Sequence, residues 1–128
     1  MRSNNWFEFA KEDSRMAEVA LSEQIYNQVC FHCQQAAEKI LKGYLLSRNQ
    51  DVPKTHFLDE LLNLCAHIDK TFEDLREYCA TLDDYYIPTR YPDALPGILP
   101  EGLPNDKDAL EALNFAEKIK QFVIEKAG

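Results

Sequence analysis

The chain has 128 residues, of which 45% are hydrophobic and 28% are charged. This length and composition are typical of one globular domain and exclude a fibrous or disordered chain. Its 22 acidic and 14 basic side chains give a formal net charge of −8, and the basic residues form no run. Since phosphate neutralisation supplies most of the non-specific affinity for duplex nucleic acid, any nucleic-acid contact must use a few placed cations or a basic partner.

The sequence predicts neither a membrane anchor nor a metal site. Its longest apolar stretches are far short of the roughly 20 residues that span a bilayer, and the N-terminus lacks the apolar core of a secretion signal. We therefore expect a cytoplasmic protein without membrane contact, with its cysteines reduced. Cys30 and Cys33 have the spacing of a zinc pair, but they lie within a helical pattern, whereas structural zinc ligands come from turns and short loops. We expect no metal and no other cofactor.

The first predicted helix covers residues 6–21, where apolar side chains recur every three or four positions. Asp13 lies on this apolar stripe. Burying an unpaired carboxylate costs several kcal/mol. Two interpretations therefore remain open. Asp13 lies solvated at the edge of the stripe, or it binds a cation or a tyrosine hydroxyl from another segment.

A second, longer helix is predicted from Ser22, a residue type suited to an N-cap, as far as Ser47. Gly43 lowers its helix propensity and favours a close crossing by a neighbouring helix. The face opposite the apolar stripe is polar, which usually means that it is solvated. The residues of this polar face are Gln28, Gln35, Lys39 and Lys42.

Pro53 ends the second helix, and Thr55 is predicted to cap the next one. The apolar spacing of residues 57–86 predicts two helices, or one helix that bends near residues 67–71. Five of the six prolines lie within residues 88–104, so this segment cannot be a regular helix. Loops of this length tend to be functional or disordered, and the apolar residues of this one predict packing against the body of the protein.

The last predicted helix begins at an N-cap provided by Asn105 or Asp106. Phe115 and Phe122 widen its apolar stripe, which indicates burial on a second side, as at a dimer contact. No alternation of apolar and polar residues predicts a strand. The elements together predict an all-α fold: an antiparallel four- to five-helix up-and-down bundle with a long proline-rich loop before the last helix, in a single domain covering residues 1–128.

Four segments resemble the HEPN family, the higher eukaryotes and prokaryotes nucleotide-binding domains. Residues 31–42 contain QQAAEKILK, similar to the family's QQAxEKxLK segment. Residues 55–62 resemble its T-H-x-L-x-x-L-L step, residues 85–93 its arginine-bearing turn, and residues 108–123 its alanine-rich final helix. Each motif is short, but together they run through nearly the whole chain in the family's order.

The resemblance implies a homodimeric helical bundle, often encoded beside a minimal nucleotidyltransferase in a toxin–antitoxin pair. Some relatives are metal-independent endoribonucleases, with an arginine followed after four to six residues by a histidine. In this chain, Leu95, Pro96 and Gly97 occupy those positions after Arg90. No other arginine has a histidine at that spacing. The ribonuclease motif is therefore absent, and we expect binding in preference to cleavage.

Arg90 is the candidate phosphate ligand, because a guanidinium binds phosphate through two parallel hydrogen bonds. Lys39 or Lys42 would add charge, and Tyr86 or Tyr91 would stack a base. The alternative is that Arg90 pairs with an acidic residue, Asp93 or Asp13, and fixes the loop to the bundle. The predicted nucleotide- or phosphate-binding residues are Arg90, Tyr91, Asp93, Tyr86, Lys39 and Lys42, and the predicted orienting residues are Asp13, Gln35 and His56.

Cleavage of RNA without a metal needs a base for the 2′-hydroxyl and a cation for the phosphorane. With no histidine in the motif position, His56 and His32 are the candidate bases from elsewhere in the fold, and a lone histidine near a helix start is more often structural. Asp93 is a further alternative, although an exposed carboxylate is a poor base for a hydroxyl. Three functions stay open: a nucleotide- or RNA-binding subunit working with a minimal nucleotidyltransferase, a divergent metal-independent endoribonuclease, and a non-catalytic dimeric scaffold. We favour the first.

Overall fold

Five α-helices and one 3₁₀ helix form most of the computed structural model, which describes residues 3–86 and 102–127. In chain order they are α1 (Ser3–Ser22), α2 (Tyr26–Ser47), α3 (Leu58–Ile68), the 3₁₀ helix (Lys70–Leu75), α4 (Arg76–Asp83) and α5 (Asp106–Ala127). The predicted all-α bundle is confirmed, and so is the break near residues 67–71. The proline-rich loop lies largely outside the described residues. No described helix is both long and apolar enough to cross a membrane.

Helix α2 lies at the centre of the bundle and packs against α1, α3, α4 and α5. It forms an antiparallel pair with α1, whereas α3 runs in the same direction as α2. This direction follows from two contacts, because His56 lies beside Glu38 and Cys65 lies beside Leu41. Residues 48–57 therefore run back from the end of α2, so that His56 lies beside the middle of that helix. The sequence predicted a long connection only before the last helix.

Apolar side chains from all of the helices form one buried cluster. Each fully buried Leu or Phe contributes about 1.5–3 kcal/mol relative to an exposed one. The close crossing predicted at Gly43 is present, since a Cβ atom there would lie 2.7 Å from a ring carbon of Phe7. The largest fully buried side chains include Tyr44, Phe72, Leu41, Leu45, Leu58, Leu61, Leu62 and Leu82.

The prediction that Ser22 begins the second helix is wrong. Helix α1 continues through Ser22, whose hydroxyl donates to the carbonyl of Val19 at 2.7 Å. The chain reverses at Gln24, which has a φ of 59°, and α2 begins at Tyr26. The hydroxyl therefore bonds to the last turn of α1 and does not cap α2. A serine side chain can make either bond with the nearby backbone, so the sequence alone does not distinguish the two.

Thr55 is also misplaced as a cap. Its Oγ1 accepts a hydrogen bond from the backbone N–H of Phe57 at 3.2 Å, but α3 begins only at Leu58. The prediction for α5 is correct, because Asn105 Oδ1 accepts from the N–H of Asp108 at 2.9 Å and Asp108 Oδ2 accepts in return from the N–H of Asn105 at 2.9 Å. This reciprocal pair is a capping box, which stabilises the first turn of a helix.

The second apolar side of α5 is covered by the chain itself. Phe115 packs against Tyr78, with ring centroids 4.8 Å apart, and Phe122 packs edge-to-face against Phe72 at 5.0 Å. These aromatic pairs connect α5 to the 3₁₀ helix and to α4. The wide stripe that suggested a dimer contact therefore reflects packing within one chain, and it carries no argument for a dimer.

Candidate functional site

The polar face of α2 holds a group of side chains that the fold buries. Gln34, Glu38 and Lys42 recur at intervals of four residues, so they lie in line along the helix. They are 0%, 4% and 5% exposed. Buried amides and charges are stable only when they are hydrogen-bonded or paired. Each of the three has such a partner, and their contacts define the site.

Glu38 and Lys42 form an ion pair, with Lys42 Nζ 3.0 Å from Glu38 Oε2. The ammonium also lies 5.6 Å from the centre of the Trp6 ring, a cation–π contact between α1 and α2. The expectation that this face is solvated is therefore wrong at Lys42. Removing one partner from such a pair costs far more than replacing both, because it leaves an uncompensated charge in the interior.

His56 reaches this ion pair from the returning segment. Its Nδ1 lies 3.2 Å from Glu38 Oε2 and 3.3 Å from Oε1, and Gln35 Nε2 donates to Oε1 at 3.3 Å. The imidazole side chain is 53% exposed, whereas that of Glu38 is 5% exposed. One buried carboxylate therefore holds the inner nitrogen of a ring whose outer edge faces solvent.

Two aromatic rings complete this surface. Tyr86 stacks on His56, with ring centroids 5.3 Å apart and an interplanar angle of 23°, and Phe57 meets Tyr86 edge-on at 5.3 Å. Burial, followed by the negative charge of Glu38, raises the pKa of the Tyr86 hydroxyl, which keeps it protonated at neutral pH. The site therefore presents a stacked pair of aromatic rings beside a buried network of hydrogen bonds.

Gln34 and Asp83 fix the backbone at this point. Gln34 Nε2 donates to the carbonyl of His56 at 2.8 Å and to Asp83 Oδ1 at 3.2 Å. Asp83 in turn accepts from the N–H groups of Leu58 at 2.8 Å and Asp59 at 3.0 Å. A carboxylate at the end of α4 therefore caps the start of α3. Hydrogen bonds of this type satisfy the free N–H groups of a first helical turn and stabilise it. Burial raises the pKa of Asp83, and these accepted bonds oppose that effect.

A second polar cluster joins α1 to α2. Asp13 binds Lys39 through Oδ2, and His32 Nδ1 lies 2.9 Å from Asp13 Oδ1. Of the two interpretations of Asp13, the structure supports an anchor for a cation from another segment. Burial alone would raise the pKa of Asp13, but the bonds from His32 and Lys39 and the charge of Lys39 bring it below its ordinary value. Lys39 is therefore engaged within the protein.

The predicted site residues fall into three groups. Gln35, Lys42, His56 and Tyr86 lie together in the first cluster, with Lys42 buried in its ion pair. Asp13 and Lys39 form the second cluster. The remaining predicted residues lie outside the described part of the chain, so the structure does not place them: Arg90, Tyr91 and Asp93.

Sequence reasoning missed four members of the first cluster, namely Gln34, Glu38, Phe57 and Asp83. Gln34 and Glu38 stand within the quoted motif, and the spacing of Glu38 and Lys42 is that of an i,i+4 ion pair, so this signal was present. Asp83 had no local signal, because its role depends on a helix start 25 residues earlier.

The cysteines were the candidate zinc ligands of the sequence. Within residues 3–86 and 102–127, no group of three or more His, Cys, Asp or Glu side chains has the geometry to hold a metal ion. All four cysteines are free and buried. Burial raises the pKa of the Cys30, Cys65 and Cys79 thiols to about 12 and that of Cys33 further. They are apolar fillers of helix faces at neutral pH.

Comparison with known proteins finds one domain family and several similar solved structures. The family model of the HEPN domain matches residues 3–127. Among solved structures, an archaeal HEPN homologue is 30% identical, with a TM-score of 0.79, and the match covers 100% of this chain and 99% of that one. A protein from Thermus thermophilus is 41% identical, with a TM-score of 0.77 and 98% of each chain covered. A HEPN domain protein from Thermotoga maritima is 28% identical, with a TM-score of 0.70, over 94% of this chain and 95% of that one.

No curated protein matches the chain. The family assignment therefore comes from the domain model and from the solved structures. Both extend over nearly the whole chain, including the helix that carries Gln34, Glu38 and Lys42. The chain belongs to the HEPN domain family.

Proposed function

We propose that the protein binds a nucleotide or RNA at the surface formed by His56, Tyr86 and Phe57, and that it works with a minimal nucleotidyltransferase in a toxin–antitoxin-type module. The observation that carries the binding proposal is the half-exposed imidazole of His56, stacked on Tyr86 and held from within by Glu38. Stacking of a base on an aromatic ring contributes about 1–3 kcal/mol and tolerates any base. A pre-positioned pair of rings loses little conformational entropy when a base binds.

Charge considerations favour Arg90 over the two lysines as the phosphate ligand. Lys42 is buried in its ion pair, and Lys39 is bound to Asp13. Arg90 follows Tyr86 by four residues, so covalent geometry keeps their Cα atoms within roughly 14 Å. A phosphate that belongs to a base stacked at Tyr86 is therefore within reach of an arginine in this segment. This contact would be local, as the net charge of −8 requires.

Calorimetric titration with ATP, GTP, AMP and a short single-stranded RNA tests the proposal. We expect Tyr86→Ala to weaken binding by roughly 5- to 150-fold, the equivalent of one lost base stack. Arg90→Ala should lower the affinity for ligands that carry phosphate in particular. Tyr78→Ala is the matched control, because Tyr78 also packs on an aromatic ring, but on that of Phe115 in α5. Failure of the wild-type protein to bind any of these ligands would refute nucleotide binding by the chain alone.

The partner proposal comes from the family resemblance and has its own test. The reading frame adjacent to this one should encode a small nucleotidyltransferase with paired active-site carboxylates, and the two proteins should copurify when they are co-expressed. Growth arrest on expression of this chain, relieved by the partner, would establish the toxin–antitoxin role. A neighbour of another kind, or a lack of copurification, would reject it. We also propose a cytoplasmic location, which the reduced state of the buried cysteines favours.

We propose a homodimer as the functional unit. Exposed apolar side chains on α1 support it, because Phe9, Met16 and Val19 are 39%, 50% and 48% exposed. Light scattering should give the mass of two chains, and Met16→Glu should shift it towards one chain. Leu64→Glu on α3 is the control, since Leu64 is similarly exposed on another helix. A wild-type mass of one chain at every concentration would exclude the dimer.

A metal-independent endoribonuclease is the second candidate function, and the contact between Glu38 and His56 is what favours it. A carboxylate on Nδ1 leaves Nε2 of a neutral imidazole free to accept a proton, which is the requirement for a general base. Labelled RNA incubated with the protein and a chelator tests this activity. Cleavage that His56→Ala and Arg90→Ala both abolish supports it, and intact RNA rejects it.

A further inference from the structure

His56 is held by one nitrogen, and the identity of its partner decides what the other nitrogen can do. Nδ1 faces both carboxylate oxygens of Glu38, at 3.2 and 3.3 Å. Nε2 has no hydrogen-bond partner within residues 3–86 and 102–127. The side chain is 53% exposed. An ionised carboxylate only accepts hydrogen bonds, so Nδ1 must carry the ring proton, and Nε2 of the neutral ring is then an acceptor.

Two further donors reach the carboxylate of Glu38. Lys42 Nζ donates to Oε2 at 3.0 Å, and Gln35 Nε2 donates to Oε1 at 3.3 Å. The carboxylate therefore receives a positive charge and an amide donor in addition to His56.

We propose that Glu38 is a positioning residue that fixes Nε2 of His56 as a hydrogen-bond acceptor, and that this nitrogen accepts a bond from the 2′-hydroxyl of a ribonucleotide. The inference rests on the proposed function and adds ligand selectivity to it. Phosphate oxygens of a nucleotide are acceptors, so Nε2 cannot bind them in this state, whereas sugar hydroxyls are donors. Tyr86 covers one face of the imidazole at a centroid distance of 5.3 Å, so a base joins this aromatic stack from an outer side, and its sugar then lies at the exposed edge of the stack, the edge that carries Nε2.

The 2′-hydroxyl is the group that separates RNA from DNA, so this contact predicts a preference for ribose. A second histidine offers a matched control. His32 Nδ1 lies 2.9 Å from Asp13 Oδ1, the same type of carboxylate contact, but its side chain is only 19% exposed and belongs to the other cluster. His67 is exposed near the end of α3 and serves as an internal standard for an unconstrained ring.

The first test measures the tautomer directly, without any ligand. Nitrogen-15 NMR of the three imidazoles, at a pH where they are neutral, should show His56 with a protonated Nδ1 and a bare Nε2. Glu38→Gln should shift His56 towards the mixture of tautomers seen for His67. If Glu38→Gln fails to fold, the double variant Glu38→Gln/Lys42→Met leaves no unpaired buried charge and takes its place. A wild-type His56 with the same mixture as His67 overturns the inference.

The second test measures sugar selectivity with a short oligoriboadenylate and its deoxyribose counterpart. One hydrogen bond predicts a preference for ribose of roughly tenfold in the wild-type protein. His56→Ala and Glu38→Gln should each reduce that ratio to about one by loss of this bond, while His32→Ala should retain it. Equal affinity for the two oligonucleotides overturns the inference and leaves the proposed function standing. No binding of either oligonucleotide overturns both.

Discussion

The ion pair between Glu38 and Lys42 leads to the sharpest prediction about stability. The two side chains are 4% and 5% exposed and meet at 3.0 Å, so neither charge has bulk water to replace its partner. Removal of one member of a buried pair costs about 3–5 kcal/mol, whereas apolar replacement of both is often neutral. The two single variants should also differ from each other, because the partners that remain differ.

Glu38→Leu leaves the Lys42 ammonium with no acceptor in the described residues other than the face of Trp6 at 5.6 Å. We therefore expect the free energy of unfolding to fall by about 4 kcal/mol, within the range for a buried charge left without its partner. Lys42→Met leaves Glu38 with its bonds from Gln35 and His56, so we expect about 2 kcal/mol, below the range for a charge left alone. The double variant Glu38→Leu/Lys42→Met should lose much less than the sum of the two, since no buried charge remains.

Urea unfolding at neutral pH, followed by circular dichroism, measures these free energies. In a thermal scan, 1 kcal/mol corresponds to about 4 °C for a domain of this size, so Glu38→Leu should melt roughly 15 °C lower. Lys11→Met is the control, because Lys11 and Glu8 form an ion pair at 3.2 Å whose side chains are 67% and 66% exposed. The reasoning is refuted if Glu38→Leu changes stability no more than Lys11→Met, or if the double variant equals the sum of the singles.

Three further predictions concern other parts of the fold. Asp13→Asn should destabilise the protein at neutral pH. Because the pKa of Asp13 is lower in the folded than in the unfolded chain, the stability difference from the wild-type protein should disappear as the pH falls through and below the unfolded pKa of about 4. Unfolding curves recorded over that pH range measure this difference. A deficit that stays constant into acid would contradict the anchor role. Asp83→Ala should cost about 1–2 kcal/mol through loss of the cap on α3, and Asp83→Asn should cost less, as measured by urea unfolding; equal losses would argue against a capping role. The four buried cysteines should react with a thiol reagent only after denaturation, because burial suppresses their thiolates, and fast labelling of the native protein would show that the helix faces open.

The site shows where sequence reasoning succeeds and where it stops. Lys42 was predicted as a phosphate ligand on a solvated face, because a lysine on the polar side of a helix usually points to water. In the fold its ammonium meets the carboxylate of Glu38 and the ring of Trp6 from α1, so the lysine is half of a buried ion pair. For Asp13 the sequence left a solvated position and a partner from another segment both open, and it named neither Lys39 nor His32 as that partner.

The sequence by itself determined the fold class of this protein and the approximate positions of its helices. Apolar spacing predicted the helices and Asn105 marked the start of the last one, because each of these signals acts within one or two turns of chain. Motif order was also sufficient to indicate the HEPN family. All of these features depend on residues that are close in sequence.

Only the tertiary structure decided which polar residues work together. Glu38, His56 and Tyr86 are separated by 18 and then 30 positions in the chain, and they meet because α3 runs in the same direction as α2 and α4 returns beside it. Burial, and therefore the strength of an ion pair or the tautomer of a ring, is a property of what the rest of the fold places over a residue. No local pattern contains that information.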